Sequence, residues 1–110
     1  MKKILWLSRH KMSMAQLIEL YRIYGNIEIV KSSARVSSAK EVLEYGKDCD
    51  ILAVVLSDEI LADLVNPKIN TECKPVIRAV MKYIPIVGKT DKNGKQSNLI
   101  IYQKWEEVKV

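Results

Sequence analysis

Six consecutive apolar residues, Ile51-Leu52-Ala53-Val54-Val55-Leu56, form the longest uninterrupted apolar run in the chain. The run falls far short of the roughly 20 residues that a membrane-spanning helix needs. It has the length of a strand, and a strand apolar at every position must be covered on both faces, as in the centre of a parallel sheet flanked by helices. Lys3 to Ser8, built on Ile4-Leu5-Trp6-Leu7, is a second such segment and forms the first strand. Ile27, Ile29 and Lys31 alternate with Glu28 and Val30, a half-polar pattern that suits an edge strand.

Helix signals stand between these strands. Ser13-Met14-Ala15-Gln16 has the form of a capping box, in which a serine hydroxyl and a glutamine side chain satisfy each other's backbone N–H groups. From there Met14, Leu17, Ile18, Tyr21 and Tyr24 share one helical face, expected to point inward, with Gln16, Glu19 and Arg22 turned to water; Gly25 ends the helix. Ser38-Ala39-Lys40-Glu41 is a second capping box, opening a helix with Ala39, Val42 and Leu43 inward and Gly46 as its stop. Ser57 or Asp58 caps a third helix that buries Ile60, Leu61, Leu64 and Val65 and stops at Asn66-Pro67.

Pro75 opens a fourth strand running through Val87, where a missing N–H is tolerable at the first position. Asn93-Gly94 is the preferred pair for a type I′ hairpin turn, so Leu99 to Tyr102 and Trp105 to Val110 return antiparallel to it. Pairing Lys92 with Lys95 sets Ile77 against Val110, Ala79 against Val108 and Lys82 against Trp105, the last as a cation–π pair, and leaves Glu107 diagonal to Arg78. The alternation of strands and helices defines an α/β chain: a three-layer Rossmann-like domain over residues 1–110, with a mostly parallel sheet of order 2-1-3-4-5 and an antiparallel fifth strand. The 110 residues leave no room for a second core. The apolar segment after Met1-Lys2-Lys3 is too short for a secretory signal, which places the expected location in the cytoplasm, with no membrane association.

Eighteen Lys and Arg against thirteen Asp and Glu give a net charge of +5, which favours nucleotides, nucleic acid or an acidic protein surface as partners. In an open parallel sheet, ligands bind beyond the carboxyl ends of the strands, where the order reverses, here between the first and third. The loops at that end carry Ser8, Arg9, His10, Lys11 and Ser13, then Lys31, Ser32, Ser33 and Arg35, then Ser57 and Asp58. Arginine forks and hydroxyls are suited to phosphate, and His10 is the one side chain expected to titrate near neutral pH. The expected ligand-binding residues are Ser8, Arg9, His10, Ser32, Arg35 and Ser57, with Arg78 added because a strand cation between Ile77 and Ala79 needs a partner or a ligand if buried. The plainer reading is that the serines cap helices, the cations stay solvated, and Arg78 pairs with a glutamate on the hairpin.

Catalytic signatures are missing. The first turn has neither a three-glycine dinucleotide fingerprint nor a Walker motif, no cysteine nucleophile follows the first strand, no Gly-x-Ser-x-Gly occurs, and the third strand ends on Ser57 where a receiver domain needs aspartate. Two cysteines, Cys49 and Cys73, and one histidine are too few for a structural metal, and in a reducing compartment both thiols are expected free. The expectation is a binding protein without cofactor or catalytic residues that recognises a phosphate-bearing ligand. The alternative is a protein-interaction module that takes no small molecule. An exposed fifth strand makes a homodimer the expected assembly.

Ile4-Leu5-Trp6-Leu7-Ser8-Arg9-His10-x-Met12, Lys74-Pro75-Val76-Ile77-Arg78-Ala79-Val80-Met81 and Lys104-Trp105-Glu106-Glu107-Val108 resemble segments of small uncharacterised proteins of bacterial mobile elements and phages. That resemblance carries no assigned activity; an accessory or anti-defence protein of such an element is one form the protein-interaction module would take. In topology the chain is also similar to the Rossmann-like sensor domains of CRISPR accessory proteins, which implies a cyclic oligonucleotide bound by a dimer at the carboxyl end of the sheet, although the effector domain of those proteins is not in this sequence.

Overall fold

The computed structural model describes residues 1–90, 94 and 96–109. Its elements are β1 (Lys2–Leu7), α1 (Met14–Tyr24), β2 (Ile27–Ser32), α2 (Ala39–Tyr45), β3 (Ile51–Val54), α3 (Asp58–Leu64), β4 (Val76–Thr90) and β5 (Gln96–Glu107). The fold is α/β, a five-stranded sheet of order β2-β1-β3-β4-β5 in which β1 to β4 run parallel and β5 is antiparallel to β4. No helix among the described residues is long and apolar enough to cross a membrane.

The two all-apolar strands are central, as their burial requires, and alternate residues feed two separate cores. Leu5, Leu7, Leu52, Val54 and Val76 pack under α2 and α3 with Val42, Leu61 and Leu64. Ile4, Trp6, Ile51, Ala53 and Ile77 pack on the opposite face with Leu20 of α1 and Trp105 of β5. Each fully buried Leu, Ile or Val contributes about 1.5–3 kcal/mol. β3 is two residues shorter than its apolar run: Val55 is exposed and Leu56 half-buried, so the chain leaves the sheet while still apolar.

The helix caps form largely as the local sequence directs. Ser13 accepts from Gln16 N–H at 3.2 Å while Gln16 Oε1 accepts from Ser13 N–H at 2.8 Å, a complete capping box. At α2 the box is displaced: the Ser38 hydroxyl accepts from Glu41 N–H, but the Glu41 carboxylate takes the N–H and the hydroxyl of Ser37. Ser57, not Asp58, caps α3. Gly25 ends α1 at φ 77°, a backbone that glycine adopts without strain.

Two expectations fail. α1 is turned from the expected face: Gln16 and Leu20 are buried, Leu17 and Tyr24 pack at the margin of the core, and Met14, Ile18 and Tyr21 are exposed. The cause is Trp105, whose indole N–H donates to the Gln16 carbonyl oxygen at 2.9 Å and draws that side of the helix onto the sheet. The hairpin register also differs. Ile77 faces Glu107, Ala79 faces Trp105 and Lys82 faces Ile101, because the ladder is interrupted between Val80 and Met81 and again between Pro85 and Thr90. A register counted from the turn assumed an unbroken ladder, which Pro85, lacking an N–H, helps to break. Lys82 therefore does not meet Trp105, which packs edge-on against Trp6 with centroids 5.8 Å apart. Lys92, Asn93 and Lys95, on which the expected turn rests, lie outside the described residues.

Candidate functional site at the carboxyl end of the sheet

β1 and β3 end side by side, Leu7 opposite Val54, and the chain diverges from them in opposite directions, toward α1 after β1 and toward α3 after β3. That divergence opens a cavity of about 660 Å3 lined by Leu7, Ser8, Arg9 and His10 from the first loop, Ala34, Arg35 and Val36 from the segment after β2, and Val55, Leu56, Ser57 and Ile60 around the start of α3. Five of the seven residues expected from sequence, Ser8, Arg9, His10, Arg35 and Ser57, thus come together in one concavity. Both arginines and the histidine are exposed, and no carboxylate lines the space. The uncompensated cations favour an anion there.

The loop that carries Arg9 and His10 is held from two sides. The Trp6 indole N–H donates to the His10 carbonyl oxygen at 2.8 Å, and the Ser8 hydroxyl accepts from His10 N–H at 3.1 Å. Ser8 N–H in turn donates to the Ser32 carbonyl oxygen at 3.1 Å, which ties this loop to the end of β2. Ser32 itself is a scaffold residue, its hydroxyl accepting from Ala34 N–H at 3.3 Å, and it does not line the cavity. Ser57 lines the cavity while its hydroxyl caps α3.

Arg78 lies elsewhere. It is roughly half-exposed on β4 and pairs with Glu106, directly opposite on β5, with its guanidinium 3.4 Å from the carboxylate. The shifted register replaces the expected diagonal Glu107 with this partner. Cys49, buried, and Cys73, exposed, flank one shallow depression at the far end of the sheet, and both are free thiols. Burial raises the Cys49 thiol above its usual range, with the Lys74 and Lys3 charges acting in the other direction. Among the described residues, no three His, Cys, Asp or Glu side chains gather as metal ligands.

Sequence reading missed the apolar part of the site, Val36, Leu56 and Ile60, and the positioning role of Trp6. A signal for Trp6 was present: a tryptophan at the end of a buried strand has an indole N–H that must find an acceptor nearby. In comparisons with known proteins, no family model, no curated protein and no solved structure matches this chain. Any assignment of function therefore rests on the geometry of the site.

Proposed function

We propose that this protein is a non-catalytic binding protein that recognises a phosphate-bearing ligand, a nucleotide or a short oligonucleotide, at the carboxyl end of its parallel sheet. One observation carries the reading: a cavity at the switch between β1 and β3 presents Arg9, Arg35 and His10 with the hydroxyls of Ser8 and Ser57 and no carboxylate. Arg9 and Arg35 supply planar, permanently charged donors that fit phosphate oxygens in pairs. Leu7, Val36, Leu56 and Ile60 give the cavity an apolar floor beside these exposed cations. Without a nucleophile paired to a base among these residues, binding is the chemistry the site supports.

A thermal-shift titration with inorganic phosphate, mononucleotides and linear and cyclic oligonucleotides tests this, since a ligand of the native state raises the melting temperature with its concentration. Stabilisation by phosphate-bearing compounds, weakened by salt, is the expected result. Arg9→Ala and Arg35→Ala should each weaken binding by about 1.5–3 kcal/mol, the range for hydrogen bonds to charged groups, while Lys68→Ala on the exposed α3–β4 connection should leave it unchanged. Unaltered affinity in both arginine variants, or no stabilisation by any of these compounds, would sink the proposal and leave the protein-interaction module as the reading to pursue.

A further inference from the structure

Among the described residues, β4 pairs with β3 at Val76 and Ile77, and from Arg78 onward with β5 alone. The outer part of the hairpin is thus a two-stranded ribbon that leaves the body of the sheet, and its two faces differ. Lys82, Ile84, Leu99 and Ile101 share one face; Met81, Tyr83, Ile100 and Tyr102 share the other, which carries no charge. Tyr102 packs at the margin of the core. Beyond it the uncharged face stands across a cavity of about 700 Å3 from Trp6 of β1, Lys11 and Ser13 of the following loop, and Gln16 of α1. Met81, Tyr83 and Ile100 remain 36%, 63% and 55% exposed there. Protein interiors leave few voids larger than a water molecule, whereas small-molecule sites are concavities of roughly 300–1,000 Å3, mostly apolar with a few polar groups.

This second cavity borders the first. Ser8, His10 and Val55 line both, and the Trp6 indole N–H holds the shared loop through the His10 carbonyl oxygen. Arg9 and Arg35 line the first cavity and not the second, while Trp6, Tyr83 and Tyr102 line the second and not the first. Guanidinium charge and aromatic surface are thus sorted to either side of a wall made by Ser8 and His10. We propose that one ligand occupies both cavities, its phosphate beside Arg9 and Arg35 and its nucleobase under the β4–β5 ribbon, against Met81, Tyr83 and Ile100. This rests on the phosphate reading of the first cavity and adds to it a base-recognising subsite, which makes the ligand class nucleotides and excludes phosphorylated compounds that carry no base.

The chemistry of the second cavity selects a base as its occupant. Aromatic rings and the Met81 thioether offer polarisable surface that the flat face of any base can cover. Around that surface stand polar groups, Lys11, Ser13 and Gln16. An acyl chain would cover the apolar side chains and leave this polar rim without partners, whereas a base carries ring nitrogens and carbonyl oxygens along its edge. The rim supplies donors for them: the Ser8 and Ser13 hydroxyls accept the backbone N–H groups of His10 and Gln16, and each has its own proton to donate. Lys11 adds an exposed ammonium, and no carboxylate is among the described residues lining either cavity, so the whole concavity favours an anion.

Calorimetric titration of the chain with inorganic phosphate, ribose 5-phosphate, the four nucleoside 5′-monophosphates and short oligonucleotides made from them tests the subsite. At least one base-bearing compound should bind on the order of tenfold more tightly than ribose 5-phosphate, or better, the usual effect of one base on an aromatic platform. Tyr83→Ala and Ile100→Ala, both at exposed positions, should remove most of that advantage, with the affinity for ribose 5-phosphate and the circular dichroism spectrum unchanged. Arg9→Ala should weaken base-bearing and base-free compounds alike. In Tyr83→Trp the added fluorescence should be quenched by the preferred nucleotide and not by inorganic phosphate. Base-bearing compounds that bind no more tightly than ribose 5-phosphate, or a preference for them that survives both Tyr83→Ala and Ile100→Ala, overturn the base subsite and leave the phosphate reading standing. Absence of binding by every one of these compounds overturns both.

Discussion

Gly46 shows how one residue sets the distance between a helix and the sheet. It closes α2 at φ −98°, where any side chain is sterically allowed by the backbone, so conformational freedom is not what the position requires. Space is: a Cβ there would run into Leu52 Cδ2 and press on Leu5 Cδ2, both in the fully buried layer between α2 and the sheet. Gly46→Ala should therefore destabilise the fold by about 1–3 kcal/mol, the usual consequence of overpacking, and denaturant unfolding measures it. A substitution that left stability unchanged would mean that Leu52 has another rotamer open to it. Lys74 and Asn70 act at the same end of the sheet. The Lys74 ammonium donates to the carbonyl oxygens of Gly46 and Lys47, each at 2.8 Å, while the buried Asn70 amide donates to the carbonyl oxygens of Leu64 and Lys74 and accepts from Lys74 N–H.

Among the elements, α1 carries the clearest contrast between a helical pattern and its use. Met14, Ile18 and Tyr21 make a plausible apolar stripe on the helical wheel, yet they face outward, and Leu20 with Gln16 faces the sheet. The contacts of Trp105 with Gln16 and with Trp6 fix that rotation, and they join residues far apart in the chain. Leu20→Ala should cost about 2–5 kcal/mol as a core truncation, whereas Ile18→Lys should change stability by less than about 0.5 kcal/mol as a surface replacement. Equal effects at the two positions in denaturant unfolding would contradict the orientation described for α1.

At the scale of the whole molecule, buried titratable groups link stability to pH on the alkaline side. Burial raises the phenols of Tyr24 and Tyr102 above their ordinary range, helped at Tyr24 by the Glu107 charge and at Tyr102 by Glu19, and burial raises the Cys49 thiol as well. Each is a group whose folded state holds its proton longer than the unfolded chain does. Their contribution is therefore complete below the ordinary values, near 9 for the thiol and 10 for the phenols, and is lost as pH rises through the folded-state values. Urea midpoints should stay level toward pH 8 from these groups and fall above about 9–10; a midpoint that stays level across that range would show the phenols to be accessible. Among the described residues the buried Tyr102 hydroxyl has no well-formed hydrogen bond, with only the Trp105 backbone near it, so Tyr102→Phe should be neutral or stabilising and should reduce the alkaline loss.

The amino-acid sequence by itself determined the α/β class, the strand order and the positions of the helix starts. These depend on signals within a few residues: two short all-apolar strands that have to be central, a half-polar strand that has to be at an edge, and serines that cap the next turn. It also contained the polar half of the candidate site, because the ends of parallel strands deliver Ser8, Arg9, His10, Arg35 and Ser57 to one side of the sheet whatever the details of packing. Only the tertiary structure decided which face of α1 is buried, which glutamate pairs with Arg78, and that Ser32 supports the cavity without lining it. Those outcomes depend on contacts such as Trp105 with Gln16 and on interruptions of the β4–β5 ladder, where residues distant in the chain compete for one place and a local pattern has no means of choosing between them.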